Sequence, residues 1–175
     1  MKETIERPPR TIMEVYKMLP EGTLAELIDN TLYMSPAPLF EHQDILLEIA
    51  SQLKNKIDKK TGRVIISPFD VYLDDTSNAV QPDITIILTG NAGKLKGQFF
   101  GVPDLLIEIL SPGNSKYDLV KKKQLYESFG VTEYWIVDPE TKQTQVFQLK
   151  NGKYISISDQ IGTIQSPLLD LTISF

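Results

Sequence analysis

Pro103-Asp104-Leu105-Leu106-Ile107-Glu108-Ile109-Leu110-Ser111-Pro112 decides how this chain is read. Apolar residues surround one glutamate, prolines stand at both ends, and the run has the length of a strand. Alternation places Leu106, Glu108 and Leu110 on one face and Leu105, Ile107 and Ile109 on the other. Both faces are apolar apart from Glu108, so the strand reads as buried. A carboxylate buried there loses its hydration and needs a metal or a cationic partner.

Two neighbouring stretches share this chemistry. Gln81-Pro82-Asp83-Ile84-Thr85-Ile86-Ile87 sets Asp83 at the head of a second apolar strand that runs to Leu88. Asp118-Leu119-Val120-Lys121-Lys122-Lys123-Gln124-Leu125-Tyr126 lies in a helix predicted over residues 117–129 and stopped by Gly130. Asp118, Lys122 and Tyr126 are spaced four apart and share one helix face. Two strands and the helix after them can deliver Asp83, Glu108 and Lys122 to one point. Two carboxylates and a lysine are the minimum set for metal-assisted phosphodiester hydrolysis. On spacing alone, a salt-bridged pair of acids is an equally open reading, and Lys122 reads first as an exposed helix lysine beside Lys121 and Lys123.

The remaining elements follow from periodicity and turn chemistry. Thr11-Ile12-Met13-Glu14 is a capping-box pattern before a short helix ended by Pro20. Residues 24–28 and 32–34 flank Asp29-Asn30 and read as a hairpin. Ile45, Ile49, Leu53 and Ile57 recur every four residues, predicting a long core-facing helix over 40–60 with Gly62 as its C-cap. Residues 64–67 and 69–73 form a strand interrupted by Pro68, and residues 134–137 another buried strand. Asn151-Gly152 between residues 144–149 and 154–157 is the strongest hairpin signal in the chain. Strands alternating with two substantial helices predict an α/β (α+β) fold, a mixed central β-sheet flanked by helices, with residues 1–175 in one domain.

Composition excludes several chemistries. The 175 residues contain no cysteine and one histidine, which removes disulfides, thiolate zinc sites and cysteine nucleophiles. Any metal would be held by oxygen ligands, which favours Mg²⁺ or Mn²⁺. The nucleotide-binding motifs G-x-x-x-x-G-K-[ST] and G-x-G-x-x-G and the serine-hydrolase motif G-x-S-x-G are absent. A formal charge of −5 counts mildly against a nonspecific DNA binder, although Lys54, Lys56, Lys59, Lys60 and Arg63, and Lys116 with Lys121 to Lys123, form local basic clusters. No run reaches the length of a membrane span and no secretory signal opens the chain, so the expected location is the cytoplasm.

Glu26-Leu27-Ile28-Asp29-Asn30, Met34-Ser35-Pro36, His42, Pro82-Asp83, the Glu108 strand, Asp118, Lys122, Tyr126 and Gly130-Val131-Thr132-Glu133-Tyr134-Trp135-Ile136-Val137-Asp138-Pro139 resemble, in that order, the Uma2 family. The resemblance runs over nearly the whole chain. It implies the restriction-endonuclease-like fold of the PD-(D/E)xK nuclease superfamily and a Mg²⁺- or Mn²⁺-dependent endonuclease acting on DNA. The simplest superfamily pattern has a lysine two residues after the glutamate. Leu110 stands there, so the resemblance implies a migrated lysine, Lys122, leaning back from the helix over the carboxylates. Asn30 stands where the family usually has glycine, a substitution that asparagine's tolerance of positive φ makes mild.

Asp83, Glu108 and Lys122 are therefore the candidate catalytic residues, with Asp83 and Glu108 as metal ligands and their carboxylates expected within about 6 Å of each other. Glu26 is a further ligand or a supporting acid, and Asp118 and Tyr126 are expected to position Lys122. His42 either approaches the phosphate or metal, or caps and packs its helix. Tyr134 and Trp135 read as sheet core or subunit interface. Competing readings are a catalytically inactive nuclease-fold binding or assembly module, and a nuclease acting on RNA or small phosphodiesters. A homodimer is expected through the C-terminal third, because cutting both strands of a duplex calls for two single-site copies and the terminal strands offer open edges.

Overall fold

The computed structural model describes residues 7–111 and 116–175, and of residues 116–118 only the backbone. Thr11 accepts the Glu14 N–H at 3.1 Å and starts α1 (Ile12–Lys17). The Glu14 carboxylate reaches back to the N–H of Arg10 rather than of Thr11. Asp29 and Asn30 take φ of 49° and 60°, the turn that closes β1 (Ala25–Ile28) on β2 (Thr31–Met34). Then come α2 (Phe40–Lys56), β3 (Gly62–Ile66), β4 (Val71–Tyr72), β5 (Ala79–Val80) and β6 (Ile84–Leu88). A 3₁₀ turn over Thr89–Lys94 leads to β7 (Leu95–Lys96), β8 (Gln98–Phe100) and β9 (Leu105–Ile109). The chain continues through α3 (Lys116–Phe129), β10 (Glu133–Val137), β11 (Gln143–Lys150), β12 (Lys153–Ile161), β13 (Thr163–Ser166) and β14 (Leu171–Ser174).

The expected mixed central sheet is present, in the order β12-β11-β10-β9-β6-β3, with β9 and β10 parallel and the other neighbours antiparallel. The shorter strands form a second sheet, β2-β1-β5-β4-β8-β7, and β13 and β14 form a hairpin. Alternation along β9 sorts the core as the sequence requires. Leu105, Ile107 and Ile109 join Ile84, Ile86, Trp135 and Val137 in a layer with α2 residues Ile45, Ile49 and Leu53. Leu106, Ile87, Tyr134 and Ile136 pack on the opposite layer with Leu125 and Tyr126 of α3 and with Val71, Val80 and Phe99 of the second sheet. Met13 and Tyr16 of α1 cover the outer face of that second sheet against Leu27, Tyr72 and Ala79. Tyr134 and Trp135 are both fully buried in the sheet core, on opposite faces.

Four expectations shift. The long helix stops at Lys56, not near residue 60, because Asp58 accepts the N–H groups of Lys60 and Thr61 and turns the chain there. Gly62 is consequently no C-cap; it opens β3, where an added Cβ would lie 2.8 Å from the carbonyl oxygen of Ile87. The interrupted strand around Pro68 is two strands of different sheets, since β3 pairs with β6 while β4 pairs with β5 and β8. At the C-terminal end the open edge is that of β12; β11 is interior, and residues 171–174 pair with β13.

The close approach at Gly62 gives a direct test. Gly62→Ala should cost about 1–3 kcal/mol of unfolding free energy in urea titration, since the strand pair must separate to admit one methyl group.

Candidate active site

Glu108 shares a face with Leu106 and so points at α3. Lys122 Nζ donates to both of its carboxylate oxygens at 3.1 Å, and the Tyr126 hydroxyl donates to Oε1 at 2.7 Å. Lys122 and Tyr126 are one helical turn apart, which lets both reach one carboxylate. The same ammonium lies 2.8 Å from Oε2 of Glu26 on β1. The other oxygen of Glu26 accepts the backbone N–H of Gln81 at 2.9 Å. All these groups are largely buried, with side-chain exposures of 17 % for Lys122 and 7 % for Glu108.

Asp83 precedes β6. Because Ile84 faces Ile107 in the antiparallel register, one further step brings Asp83 opposite Glu108. Directly opposed residues have Cβ atoms about 4.5–5.5 Å apart. One oxygen of Asp83 accepts the N–H of Ile109 at 2.7 Å, and the other is 3.1 Å from Nε2 of His42. His42 comes from the first turn of α2, whose N-cap is Leu39, so it does not cap the helix; it is buried against Asp83. Its Nδ1 is buried with no hydrogen-bond partner among the described residues.

Burial and crowding set the charges here. Burial pushes the Glu108 carboxyl up to about 7; Lys122 opposes this, while the negative Glu26 and Asp83 add to it. Burial works against the charge on Lys122, but Glu108 and Glu26 outweigh it and hold the ammonium protonated above its ordinary value. Burial, and then the charge of Glu108, raise Tyr126 well above the usual phenol range, so it stays a donor. For His42, burial is outweighed by the hydrogen bond and charge of Asp83, and its pKa rises.

The structure thus brings Asp83, Glu108, Lys122, Glu26, Tyr126 and His42 together. The Asp118 side chain lies outside the described residues. Tyr126, expected to position Lys122, instead binds Glu108 directly. No group of three or more acidic or histidine side chains among the described residues is spaced to enclose a metal ion. The ammonium of Lys122 lies between Glu26 and Glu108. The carboxylates of Asp83 and Glu108 nonetheless offer hard oxygens, each with two lone pairs, and so keep capacity beyond the contacts described.

Two contributors escaped the sequence reading. Gln81 acts through its backbone N–H, which no side-chain pattern reveals. Tyr33 lies directly across from Glu26 in the hairpin, and its hydroxyl accepts from Lys121 at 2.8 Å. Counting outward from the two-residue turn at Asp29-Asn30 would have paired Glu26 with Tyr33.

Residues 12–174 match the model of the family Uma2, described as "Putative restriction endonuclease". Among solved structures, the chain is similar to one described as a "putative nuclease belonging to DUF820" from Anabaena variabilis ATCC 29413. The TM-score is 0.77 at 21 % identity, covering 95 % of each chain, and shows a shared fold. No curated protein matches.

The raised Glu108 and His42 make a prediction about pH. Both groups bind a proton more tightly in the folded chain than in the unfolded one. The folded state therefore holds more protons between about pH 4.5 and 7, and stability falls as pH rises through that window. The metal-free protein should lose roughly 5 °C of Tm between pH 5.5 and 8. Glu108→Gln should flatten that slope in calorimetry; an unchanged slope would place the titration elsewhere.

Proposed function

This chain belongs to the Uma2 family, and we propose that it is a divalent-metal-dependent endonuclease that hydrolyses DNA phosphodiester bonds. The observation that carries this reading is the Lys122 ammonium. It comes from a helix rather than from the Glu108 strand, yet it lies 3.1 Å from Glu108, whose strand neighbour Ile109 binds Asp83. Two acids at the ends of adjacent strands and a lysine reaching their cleft form a site suited to attack of water on phosphorus.

Asp83 and Glu108 would hold Mg²⁺ or Mn²⁺, whose preference for oxygen donors the pair fits. A bound ion of this kind supplies a more acidic water and neutralises charge developing on the phosphate. The chain's own groups do the rest. The Ile109 N–H and His42 fix both oxygens of Asp83, and Tyr126 fixes Glu108. Lys122 orients the incoming water or binds a non-bridging phosphate oxygen. The water oxygen bonds to phosphorus, the bond to the leaving sugar oxygen breaks, and the proton shed by the water ends on the leaving oxygen. For duplex DNA we propose two copies acting together, one for each strand.

A second reading has its own support. Lys122 already pairs with Glu26 and Glu108, which suits a catalytically inactive module that keeps the fold for binding or assembly.

Purified protein should cut plasmid DNA in Mg²⁺ or Mn²⁺ and not in a chelator, with single-stranded DNA and RNA assayed beside it to fix the substrate. Asp83→Asn and Glu108→Gln should each slow cutting by at least about 100-fold while circular dichroism still reports a folded chain. If calorimetry finds no Mn²⁺ binding and no substrate is cut, the endonuclease reading fails and the inactive module stands.

A further inference from the structure

Glu26 holds Lys122 more closely than Glu108 does, although, as in Asp83 and Glu108, both of its oxygens are engaged. One is occupied by the Gln81 N–H at 2.9 Å and the other by Lys122 at 2.8 Å, a shorter contact than the 3.1 Å between Lys122 and Glu108. It also belongs to the second sheet, on β1, whereas Glu108 lies on β9 of the central sheet and Asp83 directly precedes the adjacent β6. Its cross-strand partner Tyr33 holds the preceding lysine, Lys121, both through its hydroxyl at 2.8 Å and beneath its ammonium, 5.0 Å from the ring centre. One hairpin therefore grips two consecutive lysines of α3 with two side chains that face each other.

We propose that Glu26 is a positioning residue rather than a metal ligand: it keeps Lys122 in the cleft when Glu108 is engaged elsewhere. This rests on the endonuclease reading above and assigns a role within that site. A lysine paired only with Glu108 would lose its sole counter-charge once Glu108 served a divalent ion, and a lone buried ammonium is costly. With Glu26 in place, Lys122 exchanges two partners for one and stays beside the reacting phosphate. The Gln81 N–H keeps Glu26 from following the lysine, because it pins the second oxygen to the segment that leads directly into Pro82 and Asp83.

The test reads Lys122 itself. An ammonium held in a buried ion pair exchanges slowly with water, so protein carrying nitrogen-15 lysine should give a resolved Lys122 signal, assigned by its absence in Lys122→Arg. The signal should persist in the parent protein with and without Mg²⁺. In Glu26→Gln it should be visible without Mg²⁺, held by Glu108, and vanish when Mg²⁺ is added. Calorimetric Mg²⁺ affinity of that variant should stay within about threefold of the parent, while kcat falls at least about tenfold at unchanged KM. Glu26→Asp, which keeps the charge but withdraws it by one methylene, should show the same loss of signal and serves if the glutamine variant does not fold.

A Mg²⁺ affinity weakened by more than about tenfold in Glu26→Gln would make Glu26 a ligand and overturn the assignment, as would a Lys122 signal that survives Mg²⁺ in both variants. A parent protein that binds Mg²⁺ with the expected signals but cuts no nucleic acid would overturn the endonuclease reading and leave the role of Glu26 standing.

Discussion

One buried carboxylate imposes most of this architecture. Glu108 lies in the middle of the central sheet, where an unpaired charge would cost several kcal/mol, and the fold answers by driving a lysine and a tyrosine of α3 onto it. That requirement fixes the rotation of α3, because Lys122 and Tyr126 must face the sheet together. It also fixes the second sheet, since Glu26 must stand on the far side of the same ammonium.

Glu133 shows that burial of an acid does not by itself make a site. It is fully buried on β10, and its oxygens accept from the Trp135 indole, the Ser166 hydroxyl and the Leu168 N–H at 2.5 to 2.9 Å. Neutral donors satisfy it, burial raises its pKa, and its work is to tie the C-terminal hairpin to the central sheet. Glu108 is served instead by a cation and stands beside two further acids. The distinction between a structural and a chemically available carboxylate lies in the partners, which strand patterning cannot show.

The sequence was accordingly legible where the signal is local. Alternation assigned the two faces of β9, the spacing of four put Lys122 and Tyr126 on one helix face, and Asp29-Asn30 and Asn151-Gly152 marked turns with φ between 49° and 76°. Illegible were the features set by tertiary partners. An Asx turn at Asp58 ended α2 early, steric closeness across strands rather than helix capping explained Gly62, and the pairing of strands around Pro68 placed them in separate sheets. Within the site, the acids and the lysine were found from residue type and resemblance. The role of the Gln81 backbone was not, since any residue but proline supplies an N–H.

The three consecutive lysines on α3 form a basic cluster in the sequence, and in the structure each has a different partner within the protein. Lys121 sits on Tyr33 of the second sheet, and Lys123 lies 3.9 Å from the ring centre of Phe147 on the central sheet. Successive helix positions diverge by about 100°, so the outer two reach opposite walls and Lys122 is left pointing between them. The aromatic contacts brace α3 from both sides at the level of its buried lysine. A net charge of −5 leaves little nonspecific attraction for a polyanion, and under the endonuclease proposal the phosphate would be engaged in the cleft itself. On α3, Lys121 and Lys123 thus hold the helix so that the ammonium of Lys122 stays between Glu26 and Glu108.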